Sequence, residues 1–145
     1  MIRYAEPEDL PRLVEMAVEG FSTIPRYQGT LVPDAAMLSR YLSDLIVSPI
    51  ARFFVLGPIG NPYGMMPATI GLHPIVGAMT VSIHLWWVDP RRRGEGLVLL
   101  RAALMWGESE GVKVYTVGGS SRALAPIYRR YGFKKLEDVY MRVLK

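Results

Sequence analysis

The sequence predicts a single α/β or α+β domain built on one mixed sheet, and three observations support this prediction. Helical and strand-like periodicities are interspersed along the chain, and both hairpin-like and crossover connections occur. The length of 145 residues suits one domain, and no repeat, linker or low-complexity segment divides it. Half of the residues are hydrophobic and 21% are charged, which is typical of a globular protein that folds by itself.

The first half of the chain is predicted to form a strand, two helices and a second strand. Apolar residues recur at helical spacing in two segments, and a compact apolar run follows them. Acidic residues precede the first apolar stripe, where a helix N-terminus favours negative charge. The predicted elements are a strand over residues 2–4, a helix over 7–21, a loop over 22–33, a helix from 34 to about 48, and a strand over 51–56.

The second half is predicted to contain four strands and two helices. Glycine and proline residues after position 56 predict an unusually long connection that ends before Met65. Gly111 is a candidate C-cap, and Pro126 places the start of the last helix near Ala125, because proline is tolerated in a first helical turn. The predicted elements are strands over 68–75 and 78–88 joined tightly at 76–77, a helix over 96–110, a strand over 112–117, a turn over 118–121, a short helix over 124–131, and a final strand or hairpin arm over 134–144.

Composition excludes several kinds of chemistry. The chain has no cysteine, which rules out disulfides, thiolate metal sites and a cysteine acyl-enzyme. Two histidines, His73 and His84, are too few for a histidine-rich centre, so no metal is expected. The stretch MIRYAEPEDL is unlike a signal or transit peptide, and no segment reaches the roughly 20 apolar residues of a membrane span. We therefore expect a cytoplasmic protein with no membrane partner, while a place in a virion is left open.

Positive charge is concentrated in the second half of the chain. Residues 1–72 carry five Arg and Lys against seven Asp and Glu, a net charge of −2. Residues 73–145 carry twelve against six, a net charge of +6. Nucleic acid or a phosphorylated cofactor would each suit this distribution, and net charge alone does not choose between them.

The stretch WWVDPRRRGEGLVLLRAAL, residues 86–104, carries the strongest chemical signal. An apolar strand leads into Asp89-Pro90, three arginines, two glycines one residue apart, and an apolar helix. Adjacent like charges repel and glycine is entropically poor at a helix start, so a bound anion would explain both features. The first N–H groups of a helix have no partner within it and attract phosphate. The turn is therefore predicted to bind a pyrophosphate.

Two common phosphate-binding loops do not match this turn. A Walker-type loop requires Gly-x-x-x-x-Gly-Lys-Ser/Thr, which is absent. A dinucleotide fingerprint requires Gly-x-Gly-x-x-Gly, and Leu99 occupies the third glycine position. The turn therefore belongs to another kind of phosphate site.

Instead, the stretch resembles the acetyl-CoA-binding motif of the GNAT superfamily of acetyltransferases. That motif, Val-x-Pro-x-x-Arg-Gly-x-Gly before an apolar helix, is matched by Val88, Pro90, Arg93, Gly94 and Gly96. SSRALAPIYRRYGFKK resembles the family's second signature, Asn-x-x-Ala-x-x-Leu-Tyr-x-x-x-Gly-Phe, through Ile127, Tyr128, Gly132 and Phe133. IRYAEPEDLPRLVEM resembles the family's first strand and helix, and Tyr140-Met141-Arg142 its last strand. The resemblance implies one GNAT-like acyltransferase domain over residues 1–145, with a single mixed, mostly antiparallel sheet flanked by about four helices.

Three positions depart from the family's pattern. Val98 stands where the core pattern Gln/Arg-x-x-Gly-x-Gly/Ala has a small residue, and its β-branched side chain would crowd a pyrophosphate. Ser121 replaces the usual Asn, and Leu124 the usual Ala. Residues 22–75 match poorly, which is the part that varies with the acceptor in this family.

The resemblance implies transfer of an acetyl group from acetyl-CoA directly to an amine acceptor. Backbone amides from Arg93 through Val98 would hold the pyrophosphate. Main-chain groups of Trp86, Trp87 and Val88 would line the pantetheine and polarise the thioester oxygen. Tyr128 would protonate the departing thiolate. The implied cofactor-binding set is Trp86, Trp87, Val88, Arg91, Arg92, Arg93, Gly94, Glu95, Gly96, Leu97, Val98 and Ser121.

An amine acceptor arrives protonated, so a base must accept its proton. His84 is the one titratable side chain in the strand VSIHLWWV, where the family often has a carboxylate, and it is the candidate base. A carboxylate from elsewhere, such as Glu19, is the alternative. Residues of the two long loops are candidates for contact with the acceptor, namely Arg26, Tyr27, Asn61 and Tyr63.

A second hypothesis is a non-catalytic module with the same fold, for instance a component of a larger particle. Val98, Ser121 and the missing strand carboxylate favour that hypothesis, whereas the arginine-glycine turn favours the enzyme. A nucleic-acid module is disfavoured, because the sequence has no aromatic-basic stacking motif and no groove-reading helix. The sequence leaves open whether the acceptor is a small molecule or a protein, and whether the chain forms a homodimer or a larger assembly.

Overall fold

The computed structural model describes residues 1–23, 32–118, 124–136, 140, 142 and 144 of the chain. These residues form one six-stranded sheet, four α-helices and two short 3-10 helices. In chain order the elements are β1 (Ile2–Tyr4), a 3-10 helix (Pro7–Asp9), α1 (Leu10–Ser22), α2 (Ala35–Val47), β2 (Ala51–Leu56), β3 (Gly64–Leu72), β4 (Met79–Ile83), β5 (Trp87–Val88), a 3-10 helix (Pro90–Glu95), α3 (Leu97–Ser109), β6 (Val114–Val117) and α4 (Ala125–Arg130).

The sheet is mixed and mostly antiparallel. Its strand order is β1-β2-β3-β4-β6, and β5 pairs with β3 beyond the end of β4. Every pair is antiparallel except β4 and β6, which run parallel because α3 crosses over between them. One mixed, mostly antiparallel sheet with four α-helices confirms the predicted fold class.

Helices cover both faces of the sheet and give the core two halves. Side chains of a strand alternate between faces, so neighbours in β2 enter different halves. On one face α3 packs against Phe54 and Leu56. On the other face α1 and α2 pack against Phe53 and Val55. This two-layer burial explains why the sequence of β2 is apolar at nearly every position, with no alternation of polar residues.

A β-bulge interrupts the strand that was predicted over residues 78–88. Ala68 pairs with Ile83, whereas Met65 pairs with Trp87. Moving three residues along β3 therefore corresponds to moving four residues along the facing chain. One extra residue is therefore inserted between β4 and β5, which bends the strand. The continuous strand predicted from the sequence is wrong at this point.

Pro67 explains the position of the bulge. It lies in the middle of β3, paired with Phe53 on one side. Its carbonyl oxygen accepts the N–H of His84 at 3.0 Å on the other side. In an antiparallel strand, the N–H and C=O groups of one residue point to the same neighbouring strand. Proline has no N–H, so Pro67 accepts a hydrogen bond from the facing strand but cannot donate one to it. Proline inside a sheet is found at such bulges.

The bounds of β3 also differ from the prediction. The strand begins at Gly64, four residues earlier than predicted, and ends at Leu72. Glycine and proline after position 56 predicted a longer connection, but Gly64-Met65-Met66-Pro67 pairs fully with β2. Tertiary pairing has overridden the local preference of these residues.

Most predicted helix ends are confirmed. The Asp34 carboxylate caps α2 by accepting the N–H of Met37 at 3.0 Å. Gly111 follows α3 with a φ of +73°, which favours glycine after a helix. The short helix α4 begins at Ala125 with Pro126 in its first turn, as predicted.

The final strand predicted over 134–144 is not present in the residues of that segment that the structure describes, which are 134–136, 140, 142 and 144. The other residues of the segment lie outside the described part of the chain. None of the described helices combines the length and apolar character that would let it cross a membrane.

Candidate functional site

The sheet opens beyond the parallel pair of β4 and β6. The two strands pair from Thr80 and Val114 to Ile83 and Val117, where both of them end. Past Ile83 the chain continues through the bulge and then pairs, within the described residues, with β3 alone. The main chain of residues 84–88 therefore lines an edge where β6 no longer covers it.

The bulge decides which way the side chains near this edge point. Trp86 packs with the α3 half of the core, and Trp87 packs with the α1 and α2 half. Because of the extra residue, His84 and Leu85 both line a cavity on the α1 and α2 side, although they are neighbours. Simple alternation predicts opposite faces for these two residues, so sequence reasoning missed their common surface.

Trp86 links the predicted phosphate turn to the predicted catalytic tyrosine. A Cβ placed on Gly96 would lie 3.5 Å from the Trp86 Nε1 atom. The Trp86 ring centroid lies 6.1 Å from that of Tyr128. The two sequence motifs, 32 positions apart when counted from Gly96 to Tyr128, therefore meet on the α3 side of the opening.

Asp89 shapes the turn that precedes α3. Its carboxylate accepts the backbone N–H of Arg91 at 2.9 Å and is also bonded by the Arg91 guanidinium at 3.1 and 3.2 Å. The side-chain hydrogen bond from Arg91, followed by its backbone bond, lowers the pKa of Asp89 to about 2. The carboxylate is thus held in its charged form as the cap of the 3-10 helix.

All three arginines of the turn contact protein groups. Arg91 pairs with Asp89. The Arg92 guanidinium lies 4.4 Å from the centre of the Tyr63 ring and 3.7 Å from the Glu95 carboxylate. The Arg93 guanidinium lies 4.6 Å from the centre of the Trp87 ring, and the Arg93 Nε donates to the carbonyl of Val88 at 3.3 Å. The repulsion among adjacent positive charges is therefore offset within the protein itself, without a bound anion.

The two glycines of the turn have different surroundings. A Cβ on Gly96 would lie 3.0 Å from Val88 Cγ2, so close packing explains this glycine. A Cβ on Gly94 would meet no described atom within 4 Å, and Gly94 has no positive φ. Neither packing nor backbone strain requires glycine at position 94, whereas a ligand lying against the backbone would.

The start of α3 offers the amides predicted to hold phosphate. The Gly96 N–H is already engaged, donating to the carbonyl of Arg93 at 3.1 Å. Leu97 and Val98 open α3, where a helix provides no carbonyl for its first N–H groups. The Val98 side chain is 39% exposed at this end of the helix. Phosphate binding by this turn stays a prediction, as does a binding role for Ser121, which lies outside the described residues.

Tyr128 lies in α4 with its ring between two other aromatic side chains. Its hydroxyl donates to the carbonyl of Gly118 at 3.2 Å, just past the end of β6. Its ring contacts those of Trp86 and Phe133. Burial raises the pKa of Tyr128 to about 12, so the hydroxyl stays protonated at neutral pH.

His84 lies at the bulge on the opposite side. Its Nε2 is 2.7 Å from Thr69 Oγ1, and its ring meets that of Tyr41 edge to face at 6.4 Å. Partial desolvation of the ring lowers the pKa of His84 from its ordinary value, so the imidazole is neutral at pH 7. A neutral imidazole is the form that can accept a proton.

The other candidate residues lie away from this cavity or outside the described part of the chain. Glu19 is on α1, exposed, with its carboxylate 3.8 Å from Arg12. The Tyr63 hydroxyl donates to Glu95 at 3.0 Å. Asn61 closes a turn by donating to the carbonyl of Pro58 at 3.0 Å. Arg26 and Tyr27 are not among the described residues.

Sequence reasoning missed the cavity beside His84. It has a volume of about 560 Å³, and its walls include Leu38, Tyr41 and Leu85. Leu38 and Tyr41 read only as an apolar helix stripe in the sequence, and Leu85 as a buried strand residue. The signal that could have located this cavity is Pro67, whose place in a central strand predicts a bulge in the facing strand.

Comparison with known proteins bears on the fold. No family model matches the chain, and no curated protein matches its sequence. A transcriptional regulator from Bacillus halodurans C-125 is 19% identical with a TM-score of 0.76, and 99% of each chain is covered. A predicted acetyltransferase from Clostridium acetobutylicum, solved with acetyl-CoA, is 15% identical with a TM-score of 0.75, covering 99% of this chain and 95% of that one. An aminoglycoside antibiotic 6'-N-acetyltransferase from Acinetobacter haemolyticus is 17% identical with a TM-score of 0.72, covering 100% and 98%.

These likenesses identify the fold of the protein. Its mixed, mostly antiparallel sheet and its helices are consistent with the GNAT fold, and the resemblance inferred from the two sequence motifs is confirmed at the level of fold. Solved proteins with this fold include acetyltransferases, one of them with acetyl-CoA.

Proposed function

We propose that the protein transfers an acetyl group from acetyl-CoA to the nitrogen of an amine by direct attack on the thioester. One observation carries the proposal. Trp86, at the open edge of the sheet, lies against both Gly96 at the start of α3 and Tyr128 in α4. A pyrophosphate at the α3 N-terminus and a thioester at the bulge would then lie along one continuous surface.

The residues of the turn fit the phosphate end of acetyl-CoA. Gly94 leaves open space beside the backbone, and the first amides of α3 supply N–H donors with a favourable helix dipole. The edge formed by residues 84–88 supplies main-chain groups that β6 does not cover. When bound, acetyl-CoA supplies an activated acetyl group as a thioester.

Direct transfer needs a base for the amine and a donor for the leaving sulfur. The amine nitrogen bonds to the acetyl carbon as the carbon–sulfur bond breaks, and the sulfur leaves with the electron pair. In the tautomer whose Nε2–H donates to Thr69 Oγ1, His84 accepts the amine proton on Nδ1. Tyr128 donates a hydrogen bond, and finally a proton, to the sulfur. With a pKa of about 12 against about 8.5 for a thiol, this transfer is uphill, so the tyrosine contributes modestly.

One observation favours a second candidate, a non-catalytic module. All three arginines of the turn are held by protein partners, so a structural protein could also keep them. The open space beside Gly94 leaves room for a cofactor against the backbone, as the enzyme requires. Binding of acetyl-CoA, followed by turnover, separates the two candidates.

Acetyl-CoA is expected to raise the melting temperature of the protein. A ligand that binds only the folded state adds about 2.7 kcal/mol at 100 times its dissociation constant. For a chain of this size that corresponds to a rise of roughly 5–10 °C. Thermal unfolding is measured with and without acetyl-CoA, with acetate as the control. An unchanged melting temperature at millimolar acetyl-CoA would contradict the proposal. A higher melting temperature would favour the non-catalytic module if no amine tested then led to release of free CoA.

The pH dependence of turnover tests the two side chains. With His84 as the base, turnover falls as pH drops through a pKa below the ordinary value of about 6.5, since only the neutral imidazole accepts a proton. His84→Gln should abolish this acid limb. Tyr128→Phe should keep the limb and lower turnover by about tenfold, less than the roughly hundredfold or more that a general acid typically contributes, because the proton transfer is uphill. Steady-state rates from pH 5 to 9 provide the test, and an unchanged limb in His84→Gln rejects the histidine as base.

A further inference from the structure

The cavity beside His84 lies where an acceptor would have to approach the thioester. It is on the α1 and α2 side of the sheet, whereas Trp86 and Tyr128 are on the α3 side. Its volume of about 560 Å³ falls in the range of small-molecule sites. The bulge places both His84 and Leu85 in its wall, so the cavity reaches the open edge of the sheet itself.

The cavity wall is mostly apolar and holds a single carboxylate among its described residues. Leu38, Leu85 and the ring of Tyr41 supply apolar surface, and Met37 adds a flexible side chain that is itself 57% exposed. Asp34 is the one acidic residue in the described part of the wall. Its Oδ1 accepts the Met37 N–H as the cap of α2, which leaves Oδ2 able to accept a hydrogen bond from a ligand.

We propose that this cavity binds the acceptor, and that the acceptor is a small amine with one positive charge and an apolar body. The inference rests on the proposed function and specifies its substrate class. One ammonium group matches the one carboxylate, and the apolar body fills the rest of the cavity. The ammonium group pairs with this carboxylate as the acceptor binds, and the imidazole of His84, in the same wall, then takes its proton before the nitrogen attacks.

A polyamine or an aminoglycoside fits this cavity poorly. Each carries several ammonium groups, and only one carboxylate is available to the described wall. The remaining charges would lose part of their water against Leu38, Leu85 and Tyr41 without gaining a partner, which is unfavourable. Substrate choice therefore follows from charge matching and from burial of apolar surface together.

Binding can be tested without turnover by NMR of methionine methyl groups. Met37 lies in the cavity wall, and Met105 is an exposed residue of α3 in the other layer, which makes it an internal control. Addition of 2-phenylethylamine should shift the Met37 methyl signal and leave Met105 unchanged. Spermidine and kanamycin at the same concentration should leave both signals in place, and a tripeptide with N-terminal Phe should bind at least tenfold more weakly.

Charge matching is tested with two asparagine variants of one helix. Asp34→Asn removes the carboxylate but keeps the cap of α2, because asparagine caps helices as well as aspartate. We expect the dissociation constant of 2-phenylethylamine to rise about tenfold, the low end for a hydrogen bond to a charged group. Asp44→Asn removes the same charge from an exposed position of α2 and should leave affinity unchanged.

Several results overturn the inference. Equal or larger Met37 shifts with spermidine, kanamycin or the tripeptide, no shift with 2-phenylethylamine, or equal affinity in Asp34→Asn would each do so. These outcomes are independent of acetyl-CoA, so they are distinguishable from failure of the proposed function. If acetyl-CoA raises the melting temperature and free CoA is released with another amine, but the monoamine does not bind, the proposed function stands and the assigned substrate class is wrong.

Discussion

Replacing Asp9 with asparagine is expected to lower the free energy of unfolding by about 3 kcal/mol. Breaking a buried ion pair by removing one partner typically costs several kilocalories per mole, because the other charge and its hydrogen-bond donors lose their partner. Arg3 is 18% exposed, and water can therefore compensate it in part. The expected loss accordingly lies at the low end of the range for fully buried pairs.

The Asp9 carboxylate connects three parts of the chain. Its side chain is 0% exposed. It receives two hydrogen bonds from the Arg3 guanidinium, at 2.7 and 2.9 Å. The N–H groups of Glu6 and Gly60 donate to it at 2.7 and 2.8 Å. The carboxylate thus fixes β1, the start of the helical segment and the connection between β2 and β3 to one another.

The same carboxylate gives stability a defined pH dependence. Burial by itself raises the pKa of Asp9, but the bonds from Arg3, Glu6 and Gly60 outweigh it, so the folded pKa lies below the ordinary value. A carboxyl group whose folded pKa is lowered stabilises the fold above its unfolded pKa of about 3.9. This contribution is lost as pH falls through the folded pKa. The difference between the natural chain and Asp9→Asn should therefore shrink below about pH 4.

Urea unfolding at pH 7 and at pH 3 provides the measurement. Glu8→Gln is the matched control, since Glu8 is an exposed acidic neighbour in the same 3-10 helix. The control should change stability by less than about 0.5 kcal/mol. A loss in Asp9→Asn no greater than that of the control would show that the buried network contributes little.

Elements with strong local signals were predictable from the sequence. The strand over residues 51–56 has the predicted bounds, because a short, continuous apolar run bounded by turn residues is typical of a buried strand. The glycine after α3 was predicted from its backbone preference, which tertiary contacts did not override. The two motifs that meet at Trp86 were also predicted, although the ring contact itself was not.

The cavity could not be predicted because it depends on pairing between distant strands. Inserting one residue opposite Pro67 reverses the side-chain directions of all residues that follow in the strand. Alternation alone placed His84 and Leu85 on opposite faces, whereas the bulge places both in one cavity wall. A proline that reads as a loop residue locally is, in the fold, the cause of the geometry at the site.

The arginines show a different limit of sequence reasoning. Three adjacent positive charges suggested an anion, yet Asp89, Tyr63 and Trp87 each hold one of them. Two of these partners are aromatic rings, and which ring faces which guanidinium is set by the fold. Gly94, by contrast, leaves room for a ligand beside the backbone that no described atom fills.

Gly94→Val is expected to abolish most of the stabilisation that acetyl-CoA provides while leaving the fold intact. A Cβ at this position meets no described atom within 4 Å, and the backbone conformation is open to any residue. The unliganded stability should therefore change by less than about 0.5 kcal/mol. A branched side chain there would fill the space in which a pyrophosphate could approach the backbone.

A tenfold rise in the dissociation constant is the minimum expected effect. At an acetyl-CoA concentration of 100 times the natural dissociation constant, stabilisation would then fall from about 2.7 to about 1.4 kcal/mol. Thermal unfolding with and without acetyl-CoA measures both numbers in one experiment. Gly71→Val is the matched control, because Gly71 also faces open space but lies near the end of β3.

The comparison of the two valine variants isolates the turn from general effects of substitution. Unliganded melting temperatures close to that of the natural chain in both variants would show that neither glycine is needed for folding. Acetyl-CoA should then stabilise Gly71→Val fully and Gly94→Val weakly. Equal stabilisation of both variants would mean that phosphate does not lie against the backbone at Gly94.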